Sequence, residues 1–353
     1  MADALIQSST EDRMEFPLDA ACRLLREAGL PDVAEWSPVR GGANNRVYCG
    51  TAGPKKVLLK MYFRAEGDPR DRLGGERCFY SLAEKANAHS VPQALGWDLE
   101  NRLGLFEFVE GRKLEAGEIT ADHVLAAAHL VASVNNLPDR TPSEPLASEA
   151  CFSISGHLSA VDARVERLGE LEISDPLDRD ASAWVHDDLK PAWHRVRETA
   201  RAHALNAGLD PSASLPQGQR WISPSDFGFH NALLEKNGRL RFFDFEYAGW
   251  DDPAKLIADF FCQPAIPVPF GMWNGFLGGL AECRHWHPET ALRARVLLPA
   301  YRIKWCCIML NEFLSTEARR RCFSGIVAED RRATQLAKAR AALCKIDTAF
   351  SPP

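Results

Sequence analysis

Three polar residues near the middle of the chain, Asp226, Asn231 and Asp244, have the types and the spacing of a metal and phosphate site. Asn237-Gly238 separates two apolar runs, and it predicts a β-hairpin because both residues tolerate the positive φ of a two-residue turn. A turn centred on this pair places Asn231 opposite Asp244 at the open end of the hairpin. An amide oxygen and a carboxylate side by side offer the hard oxygen ligands that Mg²⁺ prefers. Mg²⁺ in such sites commonly binds substrate phosphates as well.

Asp226 and Asn231 are spaced as D-x-x-x-x-N, which puts Asp226 on the loop that leads into the hairpin. A carboxylate beside a metal-bound phosphate can orient an attacking hydroxyl and accept its proton. The arrangement therefore indicates phosphoryl transfer, with Asp226 as the catalytic residue and with Asn231 and Asp244 as the metal ligands. Taken alone, the Asn-Gly turn is explained equally well by an ordinary solvated hairpin.

The same segment resembles the catalytic loop and metal-binding Asp of the protein-kinase-like superfamily, H-R-D-x-x-x-x-N followed by D-F-G. Residues 244–253, DFEYAGWDDP, narrow the resemblance to the aminoglycoside phosphotransferase and choline kinase branch. The resemblance implies an α+β, bilobal protein-kinase-like fold with a small β-rich N-lobe and a larger, mainly α-helical C-lobe. It also implies a kinase that uses ATP and Mg²⁺ and phosphorylates a hydroxyl group of a small molecule.

The loop departs from the usual family pattern, H-G-D-x-x-x-x-N, at three positions. Pro224 and Ser225 replace the histidine and the glycine, which affects loop rigidity more than chemistry, and a proline can restore rigidity by fixing φ. His230 stands where a small residue usually precedes the metal-binding Asn. It could bind substrate or phosphate, or it could simply cover the loop, and the structural role is the favoured interpretation.

Residues 41–48, GGANNRVY, resemble the phosphate-covering turn of these kinases. The resemblance implies that ATP is bound by four residues of this turn, Gly41, Gly42, Asn44 and Asn45. Glycines permit close approach of backbone N–H groups to phosphate oxygens. On its own the segment is better explained as a plain β-turn.

Lys60 lies in an apolar strand that resembles V-A-I-K, which implies contact with the α- and β-phosphates of ATP. An edge-strand lysine that extends into water is the common alternative. Glu76 is three residues from both Leu73 and Phe79, on the buried face of a predicted helix. Because a buried carboxylate needs a partner, we predict an ion pair between Lys60 and Glu76, with Glu66 and the exposed pairs around it as the competing partners.

Residues 104–111 resemble the hinge between the lobes. The resemblance implies that the adenine ring is bound by the carbonyl of Glu107 and the N–H of Val109. Backbone recognition leaves no side-chain pattern, so an ordinary core strand that ends at Gly111 is the alternative.

The predicted elements divide the chain into three parts. Residues 1–16 are polar, mixed in charge and predicted to be disordered, residues 17–110 form the N-lobe, and residues 111–353 form the C-lobe. In the second part we predict strands with one internal helix over 70–87. In the third part helices are predicted around the hairpin, over 121–136, 178–206, 253–262, 268–282, 288–314 and 328–346.

The composition is that of an ordinary soluble globular protein, with 46% hydrophobic and 25% charged residues in 353. The net charge of −6 argues against nucleic acid as a partner. No apolar run reaches the roughly 18–20 residues of a membrane helix. Ten cysteines without C-x-x-C pairs predict reduced thiols and a cytoplasmic location. The oligomeric state is left open.

The charge distribution bears on the phosphate acceptor. Residues 264–353 contain 13 Lys and Arg against 7 Asp and Glu, and a basic region opposes the approach of a polycation. We therefore predict a neutral or anionic hydroxylated metabolite, although Asp251, Asp252 and Glu312 could form a locally acidic wall. His230, Glu246 and Trp305 are the candidates for the substrate side.

Four alternatives remain open. Trp273, Trp286 and Trp305 could form an aromatic cage for a quaternary ammonium group, as in a choline or ethanolamine kinase, although core packing is more common for helical tryptophans. An aminoglycoside kinase proper belongs to the same class. A catalytically weak ATP-binding pseudokinase module and a Mg²⁺-dependent hydrolase are the alternatives from other classes.

Overall fold

The computed structural model describes five segments of the chain, residues 16–39, 45–64, 70–138, 144–314 and 331–346. The predicted disorder of residues 1–15 and the predicted ATP ligands Gly41, Gly42 and Asn44 lie outside the described residues. The described chain forms two compact units.

The first unit is a five-stranded antiparallel sheet with one helix, built from residues 16–39, 45–64 and 94–108. Its elements are α1 (Leu18–Glu27), β1 (Trp36–Pro38), β2 (Arg46–Ala52), β3 (Lys55–Met61), β4 (Ala94–Asp98) and β5 (Leu103–Glu107). The strand order is β1-β2-β3-β5-β4. The apolar face of α1, including Leu24 and Leu25, packs in one core cluster with Leu59 and Leu105, so helix and sheet bury one another's apolar side chains.

The second unit is mainly helical and contains residues 70–93, 109–138, 144–314 and 331–346. Its helices are α2 (Arg72–Lys85), α3 (Ala121–Asn135), α4 (Ile154–Leu168), α5 (Pro176–Trp184), α6 (Lys190–Asn206), α7 (Pro253–Cys262), α8 (Trp273–Leu280), α9 (Glu289–Met309) and α10 (Arg332–Leu343). Five short strands form two small antiparallel sheets, β6-β8-β9 and β10-β7, from β6 (Gly111–Arg112), β7 (Trp221–Ser223), β8 (Ala232–Glu235), β9 (Leu240–Phe242) and β10 (Gly249–Asp251).

The predicted α+β fold class is confirmed. The boundary between the compact units falls between Phe108 and Val109, and α2 belongs to the second unit. The predicted boundary between an N-lobe and a C-lobe, between residues 110 and 111, stays a prediction. None of the helices in the described segments has the length and apolar character of a membrane span.

One helix of the second unit, α4, is absent from the sequence-based prediction. Its buried residues Leu158, Val161, Val165 and Leu168 have helical spacing. Ser153 begins the helix by accepting a hydrogen bond from the N–H of Gly156 at 3.0 Å. Gly156 lies in the first turn, and glycine has a low helix propensity. This weakens the helix signal in the sequence, although the structure shows a well-formed N-cap.

The hairpin forms where predicted, but its register is one residue different. Glu235 N–H donates to Arg239 O at 2.9 Å and Gly238 N–H donates to Glu235 O at 3.0 Å, so the loop has three residues rather than two. The side-chain oxygen of Asn237 accepts from Arg239 N at 2.9 Å and stabilises this longer loop.

The predicted cross-strand pairing of Asn231 with Asp244 is therefore wrong by one residue. Ala232 pairs with Phe242, and Phe243 N–H donates to Asn231 O at 3.0 Å. A loop longer by one residue shifts every cross-strand pair by one. Asp244 consequently lies one residue beyond the end of the ladder, directly after the residue that is bonded to Asn231.

Candidate functional site

The loop that contains the candidate catalytic residue alternates between core and polar positions. Phe227 and Phe229 are almost fully buried, whereas Asp226 and His230 remain partly exposed. The Phe227 ring lies 5.0 Å from that of Phe242 and 5.7 Å from that of Phe260, measured between centroids. The two phenylalanines thus anchor the backbone in the core while the polar residues between them stay accessible.

Hydrogen bonds within the loop fix it further. The amide nitrogen of Asn231 donates to the backbone carbonyl of Asp226 at 3.0 Å, and His230 Nε2 lies 3.2 Å from Asp226 Oδ1. Ser225 has φ of 66°, a left-handed conformation that few residues other than glycine adopt, and its N–H donates to Ser223 Oγ at 3.0 Å. These contacts give the loop a rigidity that does not depend on the histidine found in the family pattern.

The Asp226 carboxylate has a pKa below its usual range. Desolvation acts to raise the pKa, but the hydrogen bond and charge of His230 outweigh it, with smaller contributions from Lys304 and Lys255. The carboxylate is therefore ionised at neutral pH and can accept a proton.

Gly228 makes room for the imidazole that bonds to this carboxylate. A Cβ atom at residue 228 would lie 2.9 Å from His230 Nδ1 and 3.1 Å from its Cε1. Any larger residue would therefore displace the imidazole of His230.

We expect Gly228→Ala to lower turnover by about tenfold, the cost of one hydrogen bond, while nucleotide affinity stays unchanged. Steady-state kinetics checks this, with Gly218→Ala as the control because an added Cβ there meets nothing within 4 Å. Equal turnover in the two variants would remove His230 from any positioning role.

Asn231 and Asp244 offer two oxygen groups of the kind that Mg²⁺ prefers. Because the Asn231 nitrogen bonds to Asp226, its amide oxygen is the atom turned to other partners. Asp244 has φ of 69°, a strained conformation of the kind that occurs at functional sites. Within the described segments no group of three or more His, Cys, Asp and Glu residues could hold a metal ion. One amide and one carboxylate fit Mg²⁺, which usually completes its shell with phosphate and water oxygens.

The residues that follow Asp244 are held by α2. Phe245 stacks on Phe79 at 4.1 Å between centroids, and its N–H donates to Glu76 Oε1 at 3.4 Å. Glu246 is buried, with Oε2 3.9 Å from Nε of the fully buried Arg72. This interior placement favours a structural role for Glu246 over the predicted substrate contact, and it shows that Glu76 supports the segment after Asp244.

Lys113 contacts the candidate catalytic loop and was not named in the sequence analysis. Its Nζ donates to the backbone carbonyl of His230 and lies 4.4 Å from the centroid of the Phe243 ring. The pairing of Arg112 with Leu234 brings Lys113 to the catalytic loop. No spacing signal in the sequence links residues this far apart in the chain.

Trp305, the third predicted substrate-side residue, belongs to a polar cluster on α7 and α9. Its indole N–H donates to Asp259 Oδ1 at 3.0 Å, and Lys304 Nζ lies 2.9 Å from Asp259 Oδ2. Lys304 is one of the cations that lower the pKa of Asp226, so the cluster lies within electrostatic range of the candidate catalytic residue.

Asp251 and Asp252, at the start of α7, are completely buried. Asp251 pairs with Lys255 at 2.6 Å. Asp252 accepts from Ala254 N at 2.8 Å and lies 3.2 Å from His157 Nε2. These two carboxylates are committed to interior partners, and they cannot form the locally acidic wall considered above.

In the first unit, Lys60 is buried on β3, which is flanked by β2 and β5. It pairs with Val47 and Gly104 across these strands, so the edge-strand explanation is wrong. Asn45 Oδ1 accepts from Phe63 N at 3.1 Å and ties the start of β2 to the chain after β3.

Two predicted nucleotide contacts involve residues of different units. Glu107 ends β5 opposite Val57, and Val109 begins the next segment of the second unit. Lys60 and Glu76 likewise belong to different units, and their ion pair stays a prediction.

A small antiparallel sheet unit and a helical unit with this loop and hairpin define a protein-kinase-like fold, and the enzyme class is that of a phosphotransferase. The model of the phosphotransferase enzyme family matches residues 35–262. The chain belongs to this family, which confirms the resemblance drawn from the motifs.

Solved structures share the fold. The spectinomycin phosphotransferase APH(9)-Ia, in complex with ADP and spectinomycin, is 12% identical with a TM-score of 0.62, covering 94% of this chain and 97% of that one. An ethanolamine kinase of Plasmodium vivax is 13% identical, with a TM-score of 0.56 and coverages of 90% and 84%. The choline kinase LicA of Streptococcus pneumoniae is 14% identical, with a TM-score of 0.55 and coverages of 93% and 97%. No curated protein matches the sequence.

Proposed function

We propose that this protein is an ATP- and Mg²⁺-dependent kinase that transfers the γ-phosphate to a hydroxyl group of a small metabolite. The observation that carries the proposal is the fixed loop from the ionised Asp226 to Asn231, together with Asp244 at the end of the opposite hairpin strand. Family membership supports the phosphotransferase class. The similar structures that contain ADP or AMP support a nucleotide as phosphate donor.

In the proposed reaction Asp226 orients the acceptor hydroxyl and accepts its proton. The hydroxyl oxygen forms a bond to the γ-phosphorus while the bond to the β–γ bridging oxygen breaks, so ADP leaves. Asn231 and Asp244 would hold Mg²⁺, which when bound neutralises phosphate charge. His230 keeps one carboxylate oxygen of Asp226 in place and leaves the other for the acceptor.

The nucleotide would be held by residues of the motifs that precede the candidate catalytic loop in the chain. Lys60 is the proposed partner of the α- and β-phosphates, with Glu76 as its counterion. The backbone groups of Glu107 and Val109 are proposed to bind the adenine. The remaining ligands carried over from the family motif are Gly41, Gly42, Asn44 and Asn45. A cytoplasmic location is part of the proposal, since every cysteine among the described residues is a free thiol.

The proposed acceptor is neutral or anionic. Two of the three carboxylates that could have made an acidic wall are buried in ion pairs, so neither is available to a polycation. An aromatic cage for choline is disfavoured because the three tryptophans have different partners. Trp273 packs on Phe261, Trp286 packs on Trp221, and Trp305 bonds to Asp259.

The proposal is tested with the wild-type protein, ATP and Mg²⁺ against a panel of acceptors, followed by ³¹P NMR. We expect transfer to neutral or anionic hydroxylated metabolites and little transfer to kanamycin-like aminoglycosides or choline. Efficient phosphorylation of a polycation would overturn the proposed acceptor class but not the proposed kinase function. Binding of ATP without transfer to any compound would favour the pseudokinase alternative, and phosphate release without an acceptor would favour the hydrolase.

A further inference from the structure

Lys113 places a positive charge at the point where the two candidate metal-binding segments meet. Its ammonium group donates to the carbonyl of His230, the residue before Asn231. The same ammonium lies over the ring of Phe243, the residue before Asp244. One side chain therefore contacts the immediate neighbour of each candidate metal ligand.

The ammonium group is not neutralised by a close carboxylate. Within the described residues no Asp or Glu oxygen lies within 4.0 Å of Lys113 Nζ, and its one hydrogen bond is the bond to His230. An ammonium has three N–H donors, so two remain for another partner. The Lys113 side chain is exposed, and such a partner can reach it.

The backbone of Lys113 is held in place. Nη1 of Arg112 donates to the Lys113 carbonyl at 3.1 Å, and the guanidinium forms a two-bond ion pair with Glu118 at 2.6 and 2.7 Å. Arg112 itself pairs with Leu234 on the hairpin strand β8. The lysine thus starts from a fixed point and extends to the loop.

Asp244 lies within electrostatic range of Lys113. Desolvation lowers the pKa of the ammonium, and the Asp244 carboxylate opposes this effect. The two charges share one environment without forming a close ion pair. A cation in this position can attract the phosphate groups that a metal ion held by Asn231 and Asp244 would also bind.

We propose that Lys113 is a phosphate-binding residue of the transfer site, whose ammonium donates to the β- or γ-phosphate oxygens of the nucleotide. The inference rests on the proposed function, since it needs a nucleotide at Asn231 and Asp244. The family motifs carried over from the sequence do not include this residue.

The test compares Lys113→Met, Lys113→Arg and the control Lys236→Met, which removes a lysine from the exposed tip of the same hairpin. Affinities for ATP, ADP and adenosine are measured by calorimetry, each with and without Mg²⁺. We expect Lys113→Met to weaken the affinities for ATP and ADP by about 10- to 100-fold even without Mg²⁺. This is the cost of losing one charged hydrogen bond. Adenosine affinity stays unchanged, Lys113→Arg recovers most of the loss, and Lys236→Met behaves as wild type.

Two results would overturn the inference alone. One is wild-type affinity for ATP in Lys113→Met, and the other is an equal loss for ATP and adenosine, which would show that Lys113 only supports the loop. If the wild-type protein bound no nucleotide, the proposed function would fail first and this inference with it.

Discussion

Asp226→Asn is expected to reduce phosphoryl transfer by about 10²–10⁴, the contribution of a positioned general base, without loss of ATP affinity. The amide keeps the size of the carboxylate but does not accept a proton at neutral pH. Its oxygen can still accept from His230, and the bond from Asn231 goes to the backbone carbonyl of Asp226, which the substitution leaves intact. The loop should therefore keep its conformation.

Single-turnover assays and calorimetric ATP binding measure the two quantities separately. Asp187→Asn, at an exposed position between α5 and α6, is the matched control for the same chemical change. Near wild-type turnover in Asp226→Asn would show that Asp226 is not the base. A parallel loss of ATP affinity would instead assign Asp226 to nucleotide binding.

Asp244→Ala is expected to weaken MgATP binding by at least about tenfold, since a charged ligand is lost, and Asn231→Ala to weaken it less. Both variants should shift the Mg²⁺ concentration needed for turnover upward. The measurement is a titration of Mg²⁺ at fixed ATP, followed by calorimetry. Unchanged MgATP affinity and unchanged Mg²⁺ dependence in both variants would rule out a shared metal site.

Two companion variants separate metal binding from loop structure. Asp244→Asn removes the charge but keeps an oxygen, and asparagine tolerates the left-handed conformation seen at φ of 69°. Asn231→Asp keeps an oxygen ligand but cannot donate to the Asp226 carbonyl. If the metal role is right, Asn231→Asp retains more Mg²⁺ affinity than Asn231→Ala, even though both lose the loop bond.

Local patterns were sufficient to predict the fold class and most helices, because apolar periodicity and turn residues act over short distances. The D-x-x-x-x-N spacing of Asp226 and Asn231 and the Asn237-Gly238 turn are equally local, and they led to the candidate loop. The hairpin register was wrong because the side chain of Asn237 stabilises a three-residue loop. A two-residue and a three-residue loop share the same Asn-Gly signal.

Two contacts near the candidate site depend on tertiary structure and were not predicted. Lys113 reaches His230 only because β6 pairs with β8, and strand partners far apart in sequence leave no local pattern. Glu246 was named as a candidate for the substrate side, which stays a prediction, and Arg72 of α2 lies 3.9 Å from its carboxylate in the interior. Neither contact follows from spacing alone.

Core and polar residues alternate along the candidate catalytic loop. Natural selection on folding and natural selection on chemistry therefore act on different residues of this loop. Substitutions at Phe227 or Phe229 remove buried aromatic packing and are selected against through folding. Under the proposed function, substitutions at Asp226 or His230, which are partly exposed, act on chemistry and leave that packing in place. A lineage can therefore gain a new acceptor, or lose transfer altogether, through one change in a loop that still folds. Descendants that only bind nucleotide are reachable from such an enzyme in a single mutational step.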